Sequence, residues 1–175
     1  MRLKKDSSEQ KLRGAYYTPL MLADAMVGLF VDDSPRSILE PSCGDGVFID
    51  SLFSIGMLDR ADSLTAVEIE ESEAQKVQDR YHEAENVNVL AEDFLVFYER
   101  CYQKERFDLI LGNPPYIRYQ YLTEKQREIQ AQILTSHGMK SNKLINSWVC
   151  FLVACVQMLS DTGKLAFVIP AEILQ

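Results

Sequence analysis

The sequence predicts an α/β fold in which a parallel β-sheet is covered by helices on both faces. Short apolar segments that end in glycine or polar residues alternate along the chain with longer amphipathic or apolar segments, and this alternation is typical of a doubly wound sheet. The chain has 175 residues, of which 47% are hydrophobic. It therefore has the size of one domain and enough apolar residues for a real core.

The amino-terminal half begins with a polar stretch, residues 1–14, which is predicted to be a loose arm. A helix is predicted from Thr18 to about Phe30, with Thr18 as its N-cap and Pro19 at its first helical position. The later elements of this half are predicted, in order, as strand Ser37–Glu40, helix Val47–Ile55, strand Ser63–Glu68 and helix Glu71–Ala84.

The carboxyl-terminal half continues the alternation of strands and helices. Thr123-x-x-Gln126 is a capping box and predicts a helix that runs to about Leu134. The segment Ser147–Leu159 is apolar nearly all round and predicts a buried helix, which Gly163 is expected to end. The other predicted elements are strand Val87–Ala91, helix Phe94–Tyr102, strand Phe107–Gly112 and strand Lys164–Ile169.

Composition and charge narrow the possible functions. The net charge is −8, with 26 acidic and 18 basic residues. If the protein acts on a nucleic acid, the basic residues that bind the phosphates must therefore form a local patch or lie outside this chain. The longest wholly apolar run, Trp148–Val156, is far shorter than the about 20 residues of a membrane span. The amino terminus also lacks the apolar stretch of a secretory signal. We expect a cytoplasmic protein without a membrane partner.

The four cysteines and two histidines do not form a pattern typical of a metal site. No two cysteines have C-x-x-C spacing, and His82 and His137 are far apart in sequence. We therefore expect no metal, and free thiols are the expected state of the cysteines in a reducing cytoplasm.

Polar or glycine-rich segments follow four of the predicted strands. Because ligands of parallel sheets bind at the carboxyl ends of the strands, these segments are the expected walls of a binding site. They are the stretches Glu40–Gly46, Glu68–Glu70, Glu92–Phe94 and Asn113–Tyr116.

The glycine-rich segment after the first strand favours a nucleoside ligand. Gly44 and Gly46 allow the backbone to approach a ligand closely. Glu68 ends the next strand, where an acidic side chain accepts hydrogen bonds from ribose hydroxyls. Glu40 and Asp45 would repel a pyrophosphate, whereas they suit a cationic amino-acid group or a sulfonium. Together these residues favour S-adenosylmethionine over NAD or ATP.

Asp93 and Phe94 admit two interpretations. In the first, Asp93 accepts a hydrogen bond from the amino group of the cofactor adenine and Phe94 packs against the adenine ring. In the second, Asp93 is only a helix N-cap and Phe94 belongs to the core.

The tetrapeptide Asn113-Pro114-Pro115-Tyr116 points to transfer onto an exocyclic amine. The lone pair of such a nitrogen is delocalised, so two acceptors aimed at its hydrogens are needed to hold it and push it toward sp3. The side-chain oxygen of Asn113 and the carbonyl of Pro114 are the candidates, and the proline rings keep them preorganised. Tyr116 can stack on a planar base. The alternative is a plain proline-rich turn after a strand.

With these motifs in this order, the chain resembles the S-adenosylmethionine-dependent N6-adenine DNA methyltransferases of the gamma motif order, as found in restriction–modification systems. The matching segments are Gly14–Pro19, Glu40–Phe48, Val67–Ile69, Glu92–Phe94, Asn113–Tyr116, the segment from Asn146 onward, and Gly163–Glu172. The resemblance implies a Rossmann-like class I methyltransferase sheet and transfer of a methyl group to a flipped adenine in double-stranded DNA.

The resemblance also implies which residues form the site. The expected catalytic residues are Asn113, Pro114, Pro115 and Tyr116. The expected cofactor-binding residues are Tyr17, Thr18, Glu40, Pro41, Ser42, Cys43, Gly44, Gly46, Phe48, Glu68, Ile69, Asp93, Phe94 and Asn113. The implied cofactor is S-adenosylmethionine, with S-adenosylhomocysteine as the product.

Other functions share parts of this pattern. The same tetrapeptide occurs in protein-glutamine methyltransferases, and relatives of it occur in ribosomal RNA guanine N2-methyltransferases. In contrast, Tyr16-Tyr17-Thr18-Pro19 and Glu40-Pro41-Ser42-Cys43-Gly44 resemble the DNA adenine type. A cofactor-binding module without activity of its own is another possibility. A nucleophilic role for Cys43 is weak, because this residue lies in the cofactor loop.

The resemblance also predicts how the sheet ends. The family continues with further strands and a target-recognition domain, so residues 15–175 are expected to be a methyltransferase domain truncated after the fifth strand. Such a piece is expected to be inactive by itself. Its fifth strand would be an open apolar edge, and we therefore expect the chain to self-associate.

Overall fold

The computed structural model describes residues 17–142, 144–169 and 171. Within them, the sheet has five strands in the order β3-β2-β1-β4-β5, and every pair of neighbours is parallel. The strands are β1 (Ser37–Glu40), β2 (Ser63–Glu68), β3 (Val87–Ala91), β4 (Phe107–Gly112) and β5 (Leu159–Phe167).

Helices cover both faces of this sheet. Those of the first half pack in one apolar cluster, and those of the second half pack in another on the opposite face. The first set is α1 (Leu20–Gly28), α2 (Val47–Ser54) and α3 (Glu71–Arg80). The second set is α4 (Phe94–Cys101), α5 (Glu124–Ser136) and α6 (Ser147–Gln157). The predicted α/β class with a parallel sheet is confirmed.

The register of the sheet aligns the carboxyl ends of its strands. Glu40 lies opposite Ala66, and Glu68 lies opposite Ala91. Gly112 lies opposite Phe167 on the other side of the central strand. The segments that follow β1, β2, β3 and β4 therefore emerge at one edge of the sheet, as expected.

The first four strands begin and end where the sequence predicted. The helices that begin at Val47, Glu71, Phe94 and Ser147 also start as predicted but end one to four residues earlier, whereas the first helix starts differently. Pro19, not Thr18, occupies the N-cap position of α1 and makes no side-chain cap hydrogen bond. The Thr18 hydroxyl instead accepts a hydrogen bond from Nδ2 of Asn113 at 3.2 Å. The predicted N-cap was wrong because a remote amide competes for this hydroxyl. The capping box of Thr123 and Gln126 is confirmed.

The fifth strand is the largest correction. Gly163 does not end a helix, because α6 ends at Gln157 and Gly163 lies inside β5. The pairing of β4 with β5 is irregular between Phe107 and Leu109. A Cβ atom on Gly163 would lie 2.7 Å from the carbonyl oxygen of Phe107, so glycine is required here for close packing rather than for a helix stop.

Two expectations remain predictions. The arm at residues 1–14 lies outside the described part of the chain. β5 lies at one end of the described sheet, but self-association through it is untested. No helix of the described residues is long and apolar enough to cross a membrane.

We expect Gly163→Ala to lower the free energy of unfolding by about 1–3 kcal/mol, because the added methyl group forces the β4–β5 pair apart. Gly28→Ala is the matched control, since no atom lies within 4 Å of a Cβ built there. That change should be neutral or stabilise α1 by up to about 1 kcal/mol. Urea unfolding of both variants measures the difference, and equal midpoints would contradict the packing assigned to Gly163.

Candidate active site

The segment between β1 and α2 forms a tight loop at the carboxyl edge of the sheet. Gly44 and Gly46 have φ values of 54° and 82°, which place both in the left-handed region that favours glycine. The Cys43 amide donates to the Val67 carbonyl at 2.9 Å and ties the loop to β2. A Cβ atom on Gly46 would lie 3.1 Å from the Val77 side chain, so α3 packs directly against the loop.

Glu68 joins this loop to the next one. Its Oε2 accepts a hydrogen bond from the Gly44 amide at 2.8 Å, and its Oε1 accepts one from the Glu70 amide at 2.9 Å. The residue is 9% exposed, and burial raises the pKa of its carboxyl although the two amides oppose this. Each carboxylate oxygen can accept a further hydrogen bond, so Glu68 can position the loops and still receive hydroxyl donors.

Glu40 is the most deeply buried carboxyl of the site. It is 0% exposed, and neither of its oxygens has a hydrogen-bond partner among the described residues. Burial raises its pKa well above the usual range, and the carboxylates of Asp45, Glu68 and Asp50 raise it further. A proton or a cationic ligand group would satisfy this carboxyl.

Four carboxyl groups, those of Glu40, Asp45, Asp50 and Glu68, form an acidic cluster. Arg80 provides a positive charge at its rim. Its Nη1 donates to both carboxylate oxygens of Asp50 at 2.8 Å and to the Asp45 carbonyl at 3.0 Å. The Tyr81 hydroxyl donates to the same Asp50 at 2.6 Å. Arg80 could not be identified from the sequence, because its contacts depend on the packing of α3 against the glycine loop. Since Arg80 is bound to Asp50, it leaves Glu40 and Glu68 without a direct cationic partner in the described residues.

Asp93 and Phe94 have the positions expected of a cap and a core residue. Oδ1 of Asp93 accepts from the Leu95 amide at 2.8 Å and caps α4. Oδ2 accepts from Nε2 of Gln126 at 2.6 Å. Phe94 is 3% exposed and lies 4.7 Å from the Phe151 ring, centroid to centroid. The second interpretation thus describes their contacts, and their binding of the cofactor adenine stays a prediction.

The loop after β4 meets the loop after β1. The Ser42 hydroxyl donates to the Asn113 carbonyl at 3.2 Å, and the Asn113 side chain donates to Thr18. The Tyr116 hydroxyl donates to the Val168 carbonyl at 2.7 Å. The candidate substrate loop is therefore attached to the candidate cofactor loop and to the residue that follows β5.

The remaining candidates divide by exposure. Tyr17 is 50% exposed and Ile69 is 59% exposed, and the Tyr17 ring lies 3.9 Å from the position of a Cβ on Gly44. Phe48 and Cys43 are 1% and 3% exposed, so their side chains pack in the core. Burial also raises the pKa of the Cys43 thiol far above its usual range, which disfavours a nucleophilic thiolate.

A metal site has no support in the described residues. No three His, Cys, Asp or Glu side chains lie together there in a way that could hold a metal ion.

Comparison with known proteins matches residues 47–175 to the Eco57I restriction-modification methylase family. The type II methyltransferase M.HincII of Haemophilus influenzae is 29% identical over 167 residues, which cover 94% of this chain and 29% of that protein. M.AccI of Acinetobacter calcoaceticus is 29% identical over 160 residues, covering 91% of this chain and 28% of that protein. The chain thus spans less than a third of the length of these two relatives.

A solved structure shows the same fold. The methyltransferase subunit of a type I restriction-modification system from Streptococcus thermophilus aligns with a TM-score of 0.73 at 20% identity, covering 93% of this chain and 36% of that one. The sheet described above is therefore of the class I methyltransferase type, as the resemblance implied.

We expect Glu40→Gln to raise the free energy of unfolding at neutral pH. The unfolded carboxyl ionises near pH 4.5, whereas the folded one holds its proton to higher pH, so the native state loses stability as the pH rises above 4.5. Glutamine does not ionise and avoids this loss. The gap between variant and wild type should close as the pH falls to 4.5.

The exposed Glu85 offers a matched control. Glu85→Gln makes the same chemical change at an exposed position at the opposite edge of the sheet, where no burial cost is relieved, and should leave the free energy of unfolding at neutral pH nearly unchanged. Denaturant titrations between pH 4.5 and 8 compare the three proteins. A wild-type stability that rises with pH relative to Glu40→Gln would contradict the assignment.

Proposed function

The chain belongs to the Eco57I restriction-modification methylase family, and from this premise we propose that it is the cofactor-binding and catalytic part of a DNA methyltransferase. The proposed reaction transfers a methyl group from S-adenosylmethionine to the N6 nitrogen of adenine. The observation that carries the proposal is the junction of the two loops, where Asn113 is bonded to both Ser42 and Thr18. A methyl donor bound at the loop after β1 would lie beside a site for the methyl-accepting amine at the loop after β4.

The proposed cofactor site uses the acidic cluster. Glu68 receives the ribose hydroxyls, and Glu40 with Asp45 favours the positive charges of the amino-acid end and the sulfonium. When bound, S-adenosylmethionine supplies an electrophilic methyl group. The exposed side chains of Tyr17 and Ile69 provide apolar cover for the cofactor.

The proposed catalytic loop supplies acceptors to the target amine. Oδ1 of Asn113 and the Pro114 carbonyl accept from its two hydrogens, which localises the nitrogen lone pair for attack on the methyl group. Nδ2 of Asn113 donates a hydrogen bond to the Thr18 hydroxyl. This bond orients the side-chain amide so that Oδ1 lies on the side away from Thr18. The Pro114 carbonyl accepts no hydrogen bond from the described residues.

The proposed substrate is double-stranded DNA whose target adenine is flipped out of the helix. The Tyr116 ring is held at its hydroxyl end by Val168 and can stack on the flipped base. Because the net charge of the chain is −8, its grip on phosphates is local. Since the chain is proposed to be one part of a methyltransferase, assays of methyl transfer should use the natural protein, meaning the whole methyltransferase that contains this chain. RNA and a glutamine-containing peptide should be included as comparison substrates.

We expect Glu68→Ala to weaken binding of S-adenosylhomocysteine by about 1–3 kcal/mol, since a buried acceptor of the ribose hydroxyls is lost. Glu85→Ala removes the same charge from an exposed position at the other edge of the sheet and should bind normally. Isothermal titration calorimetry measures both, and thermal unfolding verifies that both variants are folded. Equal affinity in the three proteins would overturn the cofactor assignment.

We expect Asn113→Ala to slow methyl transfer by about 100-fold or more, because an acceptor that acts mainly in the transition state is removed. Cofactor affinity should change much less. Asn88→Ala, at an exposed asparagine of β3, is the control for loss of an amide. Transfer of a radioactive methyl group to adenine-containing DNA measures the rates in the natural protein. Near-normal transfer by Asn113→Ala would exclude this residue from catalysis.

A further inference from the structure

Ser147 makes an unusual set of contacts with the candidate catalytic loop. It is the first residue of α6 and is 2% exposed. Its hydroxyl donates to the Pro115 carbonyl and accepts from the Ile117 amide at 2.9 Å. Its own amide donates to the Ile117 carbonyl at 3.0 Å. One residue therefore bonds three backbone groups around Tyr116.

The chemistry of these contacts requires a hydroxyl. A serine hydroxyl has one hydrogen to donate and lone pairs to accept with. Here the Pro115 carbonyl is the nearest acceptor, with Oδ1 of Asn146 farther away at 3.4 Å, and the Ile117 amide donates to the hydroxyl oxygen. Helix capping does not explain the position, because Asn146 is the N-cap residue and no side chain caps α6. The hydroxyl of Ser147 thus makes its two shortest hydrogen bonds with the loop.

The hydrogen bonds leave one carbonyl of the loop for a ligand. Ser42 donates to the Asn113 carbonyl on one side, and Ser147 donates to the Pro115 carbonyl on the other. Between them, the Pro114 carbonyl accepts no hydrogen bond from the described residues. Both neighbouring peptide groups are therefore fixed, while the group between them is available to a donor.

From this arrangement we infer that Ser147 is a positioning residue of the methyl-transfer site, which aims the Pro114 carbonyl at the target amine. The inference rests on the proposed function. Loss of the hydroxyl frees the peptide groups of Pro115 and Ile117, so the acceptor is no longer preorganised. The effect falls on the transfer rate and not on the cofactor, which Ser147 does not touch in this assignment.

The test compares Ser147→Ala with a matched loss of a buried serine hydroxyl. Ser51 is 1% exposed and donates to Asp24 at 2.6 Å, between α1 and α2. In the natural protein, Ser147→Ala should lower the rate of DNA methylation at saturating substrates by about tenfold or more. Its affinity for S-adenosylhomocysteine should stay within about twofold of wild type. Ser51→Ala should change both quantities by less than about twofold, and Ser147→Thr, which keeps the hydroxyl, should recover most of the rate.

A second readout does not depend on activity. The Ile117 amide should exchange its hydrogen with solvent faster in Ser147→Ala than in wild type or Ser51→Ala, as measured by NMR. Unchanged exchange would show that the contact is absent and overturn the inference. Faster exchange with a normal transfer rate would make the contact merely structural and overturn it as well. If the wild type binds the cofactor but methylates no DNA, the proposed function fails and this role of Ser147 fails with it.

Discussion

The site depends on the pairing of β1 with a parallel neighbour on each side. β1 bonds to β2 and to β4, so the segments after Glu40, Glu68 and Gly112 emerge side by side at one edge. A parallel sheet places all carboxyl ends together and needs its crossover helices on the faces, which leaves this edge uncovered by helices. The loop after β1 and the Asn113–Tyr116 loop meet because of this geometry, although they are far apart in sequence.

The polar groups of these loops differ in how well the folded protein satisfies their hydrogen bonds. Glu68 bonds the amides of Gly44 and Glu70, whereas Glu40 is buried without a partner in the described residues. Buried carboxylates of this kind cost stability unless a cation or a proton accompanies them. The positively charged ligand proposed above would therefore satisfy the Glu40 carboxyl, and its binding would relieve part of the cost of burying that group.

The sequence predicted β1 to β4 to the residue, because glycine, proline or charged residues mark each end and the apolar runs between them are short. It failed at the start of β5, since Ser160, Asp161 and Thr162 look like a turn. They lie in the irregular stretch between Leu159 and Lys164, and both of these flanking residues pair with β4. It also failed at Thr18, whose hydroxyl is bound by Asn113. Local propensity identifies a helix or strand, but it does not reveal which residue distant in sequence will form a hydrogen bond with a given side chain.

The same limit applies within the site, where loop residues were predictable by type and their supports were not. Glu68 stands out in sequence because it ends a buried strand, and Asn113 because it follows one. Nothing in the sequence around Gln126 or Ser147 indicates that the first binds Asp93 and the second binds the loop. These supports come from α5 and α6, the helices that follow the loop in the chain. Gln126 in α5 holds Asp93, and Ser147 at the start of α6 holds the Pro115 carbonyl and the Ile117 amide. The geometry proposed for methyl transfer at this edge thus depends on the start of α6 as well as on the tetrapeptide itself.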